Sequence, residues 1–146
     1  MKDRKEAMEN YIPPDWKMMT RLQELIEGNF RESHELQFYC DALGITIRRL
    51  NKVTRFYFKK TLYELLQDRI HKEAVFLLSE TTMTAKEICF ELGVCDPAHF
   101  TRSFKLMEGV TPSEFRRGLL GEVSGTFEFV TTVYVITTSR LEFQVF

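Results

Sequence analysis

Residues 86–116 have the sequence KEICFELGVCDPAHFTRSFKLMEGVTPSEFR, in which a glycine separates two segments of helical character. Asp96 followed by Pro97 marks a helix start, because an aspartate side chain can cap the first turn and proline fits the first helical position. Gly109 is predicted to end this helix, since glycine readily adopts the left-handed conformation that often follows a helix. The stretch therefore predicts a helix, a turn at Gly93 and a second helix.

The same plan occurs earlier in the chain, where CDALGI at 40–45 aligns with CFELGV at 89–94. A helix-turn-helix needs a small residue where its helices touch, a turn residue that tolerates positive φ, and an apolar anchor under the second helix. These roles fall to Cys40, Gly44 and Leu50 in the first copy and to Cys89, Gly93 and Phe100 in the second. Two such units in tandem indicate DNA binding more strongly than one does.

Further helices are predicted from apolar periodicity and from capping signals. Apolar residues spaced by three and four predict a first helix from Met18 to about Asn29, and a shorter one stops at Gly44. Thr46 caps a third helix, which runs to about Phe58. Three Thr–Glu capping boxes begin later helices: Thr61 with Glu64, Thr84 with Glu87, and Thr111 with Glu114.

The sequence thus predicts an all-α protein of about seven helices, with two helix-turn-helix subdomains joined by a long central helix. Residues 1–17 are predicted as a linker or tail, because they are charged and two prolines prevent a helix from continuing. The remaining parts are a first subdomain at 18–60, a connecting helix at 61–79, a second subdomain at 80–120 and an atypical β-prone tail at 121–146.

The tail contains FEFVTTVYVI at 127–136 and LEFQVF at 141–146, which are rich in β-branched and aromatic residues. Such composition predicts the two strands of a β-hairpin. A lone hairpin is marginally stable in water, and its open edges favour pairing with another chain. Three interpretations stay open: a dimerising ribbon, a hairpin docked on the helices, or an unselected extension from a shifted reading frame.

Composition excludes several classes of protein. The 44% hydrophobic fraction of the 146 residues allows a core, and neither a membrane-spanning run nor a secretory signal is present, so we expect a cytoplasmic protein. Cys89, Cys95 and His99 could be drawn as a metal site, but a fourth ligand is not apparent. Cys95 and His99 likewise lack the third group that a nucleophile and its base require. We therefore expect no metal, no cofactor and no enzymatic activity.

Charge is distributed unevenly along the chain. The net charge is −1, but residues 46–60 contain six basic residues and no acidic one. A basic run is either a solvated helix face or a nucleic-acid surface. The basic run falls on the predicted third helix, which also contains Asn51. Arg, Lys and Asn are the side chains that bind guanine and adenine edges in the major groove.

The run Lys86–Arg116 resembles the signature of the AraC/XylS family of transcription regulators, with Cys89 where alanine is usual, and the resemblance extends over residues 18–117. It implies a bacterial transcription regulator, such as an activator, whose two recognition helices enter successive major grooves of double-stranded DNA. Carried over by position, it implies base contacts from Arg48, Asn51, Lys52, Ala98, His99, Thr101 and Arg102, and phosphate contacts from Thr84 and Lys105. The basic run adds Arg49, Arg55, Lys59 and Lys60 as candidates for phosphate contacts.

The first half departs from the family pattern at two positions. Lys59 stands where a glycine commonly ends the recognition helix, and a left-handed Lys is disfavoured by up to ~1 kcal/mol. Thr54 replaces a usually large apolar residue. We therefore predict looser packing and weaker sequence discrimination in the first unit.

The resemblance also implies partners beyond DNA. It implies RNA polymerase as a partner and a missing N-terminal sensor domain, because family members usually carry such a domain before the DNA-binding part. An alternative interpretation is a truncated regulator that acts as a protein-interaction module without binding an operator. The sequence gives no indication of the oligomeric state.

Overall fold

The computed structural model describes residues 14–121, and this range forms seven α-helices without a strand, which confirms the all-α prediction for it. The helices are α1 (Pro14–Asn29), α2 (Leu36–Leu43), α3 (Ile47–Phe58), α4 (Leu62–Glu80), α5 (Ala85–Glu91), α6 (Pro97–Glu108) and α7 (Pro112–Leu119). The hairpin predicted at 127–146 lies outside the described residues. Most of the linker predicted at 1–17 also lies outside them, since the description begins at Pro14.

Helix α1 begins at Pro14, whereas the apolar pattern predicted a start at Met18. The predicted start was wrong because proline interrupts a helix in its interior but is tolerated in its first turn, where its missing N–H is not needed. Asp15 in that first turn adds a favourable interaction with the helix dipole. The predicted end at Asn29 is confirmed.

The three predicted capping boxes are all present. Glu87 Oε2 accepts hydrogen bonds from the backbone N–H of Thr84 at 2.7 Å and from its hydroxyl at 2.8 Å, and Thr84 Oγ1 accepts from the backbone N–H of Glu87 at 3.2 Å. Thr61 with Glu64 and Thr111 with Glu114 repeat the arrangement. These bonds to the backbone and hydroxyl of each Thr lower the pKa of all three carboxyl groups.

The described residues group into two compact units, 14–71 with 91–93 and 72–90 with 94–121. Helix α4 is the longest element, as predicted, and contributes residues to both units. The subdomain limits predicted from the sequence remain a prediction. No helix between residues 14 and 121 combines the length and apolar composition needed to cross a membrane.

The core of the first unit is built on α1, whose buried residues Met19, Leu22, Ile26 and Phe30 recur at helical spacing. Met18 and Leu25, also predicted to face inward, are half-buried. Tyr39 of α2 is fully buried and its hydroxyl donates to the carbonyl of Ser33 at 2.9 Å. Burial raises the pKa of Tyr39 to about 12. The remaining core residues come from α2, α3, α4 and the 91–93 turn: Cys40, Leu50, Val53, Leu62, Leu66, Ile70 and Leu92.

The core of the second unit is centred on three phenylalanines. The ring of Phe104 lies 6.0 Å from that of Phe100 and 5.6 Å from that of Phe115, measured between centroids. Offset and edge-to-face contacts at such distances add to the free energy gained by burial. Arg116 of α7 donates from Nε to the carbonyl of Leu78 at 3.2 Å, near the end of α4. The contact between Phe104 and Phe115 packs α6 against α7, and the opposite side of α6 is exposed.

Candidate nucleic-acid interface

The two predicted turns have the same backbone geometry. In the first, the carbonyl of Cys40 accepts from the N–H of Ile45 at 3.1 Å, and in the second that of Cys89 accepts from Val94 at 2.8 Å. Gly44 has φ 67° and Gly93 has φ 66°, in the left-handed region where glycine is unstrained. The sequence repeat is therefore a structural repeat of the helix-turn-helix.

The two glycines differ in their surroundings. A Cβ added to Gly44 would meet nothing within 4 Å, whereas one on Gly93 would collide with the carbonyl oxygen of Arg31. The Arg31 side chain also pairs with Glu91, with Nη1 and Oε1 3.1 Å apart. Glycine is thus required at 44 for conformation alone and at 93 for conformation and space.

The three cysteines have the roles expected of two core positions and a turn residue. Cys40 and Cys89 are buried and Cys95 is exposed. Burial is the main cause that raises the thiol pKa of Cys40 and of Cys89, with smaller contributions from Asp41 and Asp96. In the described part of the chain no three His, Cys, Asp or Glu side chains converge as metal ligands would.

Helix α3 is capped by Thr46, whose Oγ1 accepts from the backbone N–H of Arg49 at 3.4 Å. Its inner side is formed by Leu50, Val53 and Thr54, all buried. Four candidate contact residues are exposed, as predicted: Arg48, Arg49, Lys52 and Arg55. None of these four forms a salt bridge within residues 14–121, so their charges are available to a ligand.

Asn51 differs from its predicted outward orientation. Its side chain is half-buried, and its Oδ1 accepts from the backbone N–H of Leu62 at 2.9 Å, in the first turn of α4. The N–H groups in the first turn of a helix have no acceptor within the helix, and Asn51 supplies one for Leu62. This hydrogen bond connects α3 to the start of α4. The sequence pattern could not indicate this, since the bond joins residues that are distant along the chain.

The end of α3 contains the predicted departure from the family pattern. Lys59 has φ 58° and is the one non-glycine residue with positive φ in the described range. Its Nζ donates to the carbonyl of Phe56 at 3.2 Å, and Lys60 forms an ion pair with Asp68. Thr54 is fully buried and donates its hydroxyl to the carbonyl of Asn51 at 3.2 Å. Lys59 and Lys60, two of the proposed phosphate ligands, therefore already form bonds within the chain.

Helix α6 is capped by Asp96, whose carboxylate accepts from the backbone N–H of Ala98 at 2.8 Å. Bonds from the backbone N–H groups of His99 and Ala98, and to a lesser extent the charge of Arg102, lower the pKa of this carboxyl. Phe100 and Phe104 face the core, as predicted. The exposed candidates on this helix are Ala98, His99, Arg102 and Lys105.

The two other candidates in the second unit have intramolecular hydrogen bonds. Thr101 is half-buried and donates its hydroxyl to the carbonyl of Pro97 at 2.9 Å. Thr84, a proposed phosphate ligand, is exposed at the start of α5 and is bonded to Glu87. The exposed cations among the candidates on α6 are therefore Arg102 and Lys105.

Two exposed apolar residues were missed by the sequence reasoning. Phe56 on α3 and Leu106 on α6 are large, apolar and mostly exposed. Each follows a proposed base-contacting cation, Lys52 or Arg102, by four residues. That spacing is visible in the sequence, but only the observed exposure distinguishes these residues from core positions.

A protein-family model described as a helix-turn-helix domain matches residues 39–118, which is more than half of the chain. The matched range contains both glycine turns and both basic helices, and the model is of the AraC type. No curated protein sequence matches the chain.

Several solved structures are similar. The C-terminal domain of the two-component response regulator yesN from Fusobacterium nucleatum matches with a TM-score of 0.65 at 23% identity, over 68% of this chain and 98% of that one. A probable AraC family transcriptional regulator from Rhodopseudomonas palustris matches with 0.62 at 22%, over 70% and 97%. The C-terminal domain of AraT, a response regulator from Geobacillus stearothermophilus, matches with 0.65 at 21%, over 77% and 89%. At these identities the likeness shows a common all-α fold with two helix-turn-helix motifs.

Proposed function

The chain belongs to the AraC-type helix-turn-helix family, and from this premise we propose a sequence-specific regulator that inserts α3 and α6 into successive major grooves of duplex DNA. The family itself is one of DNA-binding transcription regulators and not an enzyme class. The observation that carries the proposal is the repeated presence of exposed cations on the second helix of each motif.

Electrostatics support DNA as the ligand of α3. Arg48, Arg49, Lys52 and Arg55 are exposed and form no salt bridge in the described range, although the whole chain has a net charge of −1. Neutralising phosphates with such cations releases counterions, so affinity falls steeply with salt. We therefore propose that α3 supplies much of the general affinity for DNA.

Side-chain chemistry supports α6 as the more discriminating helix. Arg102 is exposed, and an Arg can donate two hydrogen bonds to the O6 and N7 of one guanine. Ala98 and His99, exposed in the first turn, lie where a recognition helix approaches base edges. Lys105, one turn beyond Thr101, would then bind a phosphate, because a Lys is a point charge without a bidentate geometry.

Partners other than DNA belong to the same proposal. Two of the similar structures are described as C-terminal domains of response regulators. This supports an N-terminal sensor domain as a part of the protein, and regulation of transcription would bring the DNA-bound chain to RNA polymerase.

Selection of duplexes in vitro tests the proposal most directly. The full chain, incubated with a random duplex library, should enrich a site of ~20 base pairs, because two recognition helices one helical turn apart span that length. Anisotropy titration of the selected duplex should give a steep inverse dependence of affinity on salt. Enrichment of no sequence, or binding that ignores salt, would contradict the proposal and favour a protein-interaction module.

Three substitutions separate base contacts from phosphate contacts. Arg102→Ala should lose ~1–3 kcal/mol of discrimination at one base pair, whereas Lys105→Ala and Arg48→Ala should weaken binding to every duplex and reduce the salt slope by about one each. Arg21→Ala and Lys17→Ala, which remove exposed charges from α1, serve as matched controls. Equal losses on all sequences for Arg102→Ala and Lys105→Ala would overturn the assignment.

A further inference from the structure

The two recognition helices expose large apolar side chains at equivalent positions. Phe56 of α3 is 70% exposed and Leu106 of α6 is 87% exposed. An offset of 50 residues relates them, the same offset that relates Leu50 to Phe100 in the core of the two motifs. A single exposed apolar residue requires no explanation, but the same exposure at both copies of one position does.

Each apolar residue lies on the side of its helix that carries the proposed base contacts. Phe56 follows Lys52 by four residues, and Leu106 follows Arg102 by four, so each pair lies one above the other on a common helix face. Each also directly follows a cation proposed to bind phosphate, Arg55 or Lys105. The Lys59 ammonium lies 5.9 Å from the centroid of the Phe56 ring, so Phe56 has a further cation beside it.

Another large exposed apolar residue provides a contrast. Phe90 on α5 is 88% exposed, yet it lies outside the recognition helices and has Glu91 beside it and Glu87 one turn before it. Carboxylates at these positions would repel the phosphates of DNA. Phe90 also follows an exposed cation, Lys86, by four residues, so what distinguishes Phe56 and Leu106 is their place on the recognition helices without a carboxylate beside them.

We propose that Phe56 and Leu106 are specificity-determining residues that contact the C5-methyl groups of thymines in the two major grooves. Thymine is the base that presents an apolar group in that groove, and apolar side chains recognise it by contact. Four residues of helix correspond to ~6 Å of rise, so each thymine should lie within about two base pairs of the base bound by Lys52 or Arg102. The inference rests on the proposed function, because it presumes that α3 and α6 occupy major grooves.

Replacing thymine by deoxyuridine tests the contact at the level of one methyl group. Each thymine of the selected duplex is exchanged in turn, and affinity is measured for the wild-type chain, Phe56→Ala and Leu106→Ala. One exchange in each half of the site should lower wild-type affinity about fourfold, the effect of removing one buried methyl group. The corresponding alanine variant should be insensitive to that exchange while it stays sensitive to the other.

Phe90→Ala is the matched control, since it removes a large exposed apolar side chain outside the recognition helices. It should bind every duplex as the wild type does, and thermal unfolding should show that all three variants are folded. If deoxyuridine lowers the affinity of wild type and alanine variants equally, or of neither, the methyl contact is refuted while DNA binding stands. If no duplex is bound at all, the proposed function fails together with this inference.

Discussion

The two helix-turn-helix motifs share the geometry of their turns but differ in how their helices are held. In the second motif Gly93 packs against the Arg31 carbonyl, a carboxylate caps α6, and Gly109 ends it with φ 79°. In the first motif Gly44 faces open space, a hydroxyl caps α3, and Lys59 ends it in a left-handed conformation. The recognition helix of the second motif thus ends at an unstrained glycine. That of the first motif ends at a left-handed lysine, whose side chain bonds to the carbonyl of Phe56.

This difference bears on function because it determines which side chains remain for a ligand. In the first motif Asn51 is bonded to α4, Lys59 to the end of its own helix, and Lys60 to Asp68. Side chains that stabilise the fold are less free to adapt to a base edge. The first motif is therefore expected to contribute charge more than sequence discrimination.

The largest expected effect compares the two turn glycines. Gly44→Ala should lower the free energy of unfolding by ~1–2 kcal/mol, the cost of a left-handed non-glycine residue. Gly93→Ala should lose ~2–5 kcal/mol, because the clash with the Arg31 carbonyl adds an overpacking cost of ~1–3 kcal/mol to the cost of the left-handed residue. Urea denaturation of both variants measures the difference. Gly118→Ala, at a helical position with open space around it, is the control and should leave stability unchanged or raise it. Equal losses of stability in Gly44→Ala and Gly93→Ala would show that the close approach of Arg31 to Gly93 is unimportant.

A second prediction compares Asn51 with Arg102. Arg102→Ala should erase ~1–3 kcal/mol of discrimination at one base pair. Asn51→Ala should change sequence preference less, and should instead lower stability by ~1 kcal/mol because the N–H of Leu62 loses its acceptor. Competition against single-base variants of the selected duplex, with urea denaturation in parallel, measures both effects.

Asn51→Asp sharpens this test, since a carboxylate keeps an acceptor for Leu62 but cannot donate to a base. It should restore stability relative to Asn51→Ala. If Asn51→Ala abolishes discrimination at one base pair while stability is unchanged, Asn51 contacts a base and the first motif is a full reader of sequence.

Much of this fold could be predicted from the sequence because its signals are local. Capping boxes, glycine turns and helical periodicity act within four residues, and all three capping boxes form as expected. The start of α1 was missed because proline has opposite effects in the interior and the first turn of a helix. The bond from Asn51 to Leu62 and the approach of Gly93 to Arg31 could not be predicted, since each joins segments that only tertiary packing brings together.

The third prediction concerns the ends of the two recognition helices. Lys59→Gly should stabilise the chain by up to ~1 kcal/mol, because it relieves the left-handed strain at φ 58°. Gly109→Lys should cost a similar amount, since it places the same side chain at the equivalent position, where φ is 79°. Thermal or urea unfolding compares the two variants with the wild type. A loss of stability in Lys59→Gly would show that the Lys59 bond to Phe56 outweighs the strain.

The smallest expected effect distinguishes the two helix N-caps by their response to acid. Asp96 caps α6 with a carboxylate whose pKa is lowered from 3.8 by the backbone N–H groups of His99 and Ala98, whereas Thr46 caps α3 with a hydroxyl. Because the folded carboxyl binds its proton less readily than the unfolded one, its contribution is complete above pH ~5 and is lost as pH falls through 3.8 and below.

Asp96→Asn should therefore flatten the decline of the unfolding temperature between pH 7 and pH 3, since asparagine caps equally well without titrating. Thr46→Asp should steepen it, because it gives the first motif the titrating cap of the second. The remaining acid sensitivity of Asp96→Asn should come from Glu64, Glu87 and Glu114, whose pKa values are lowered in the same direction. Identical pH profiles for the wild type and Asp96→Asn would mean that the carboxylate contributes no more than a neutral cap, and the N-caps would then not distinguish the two motifs.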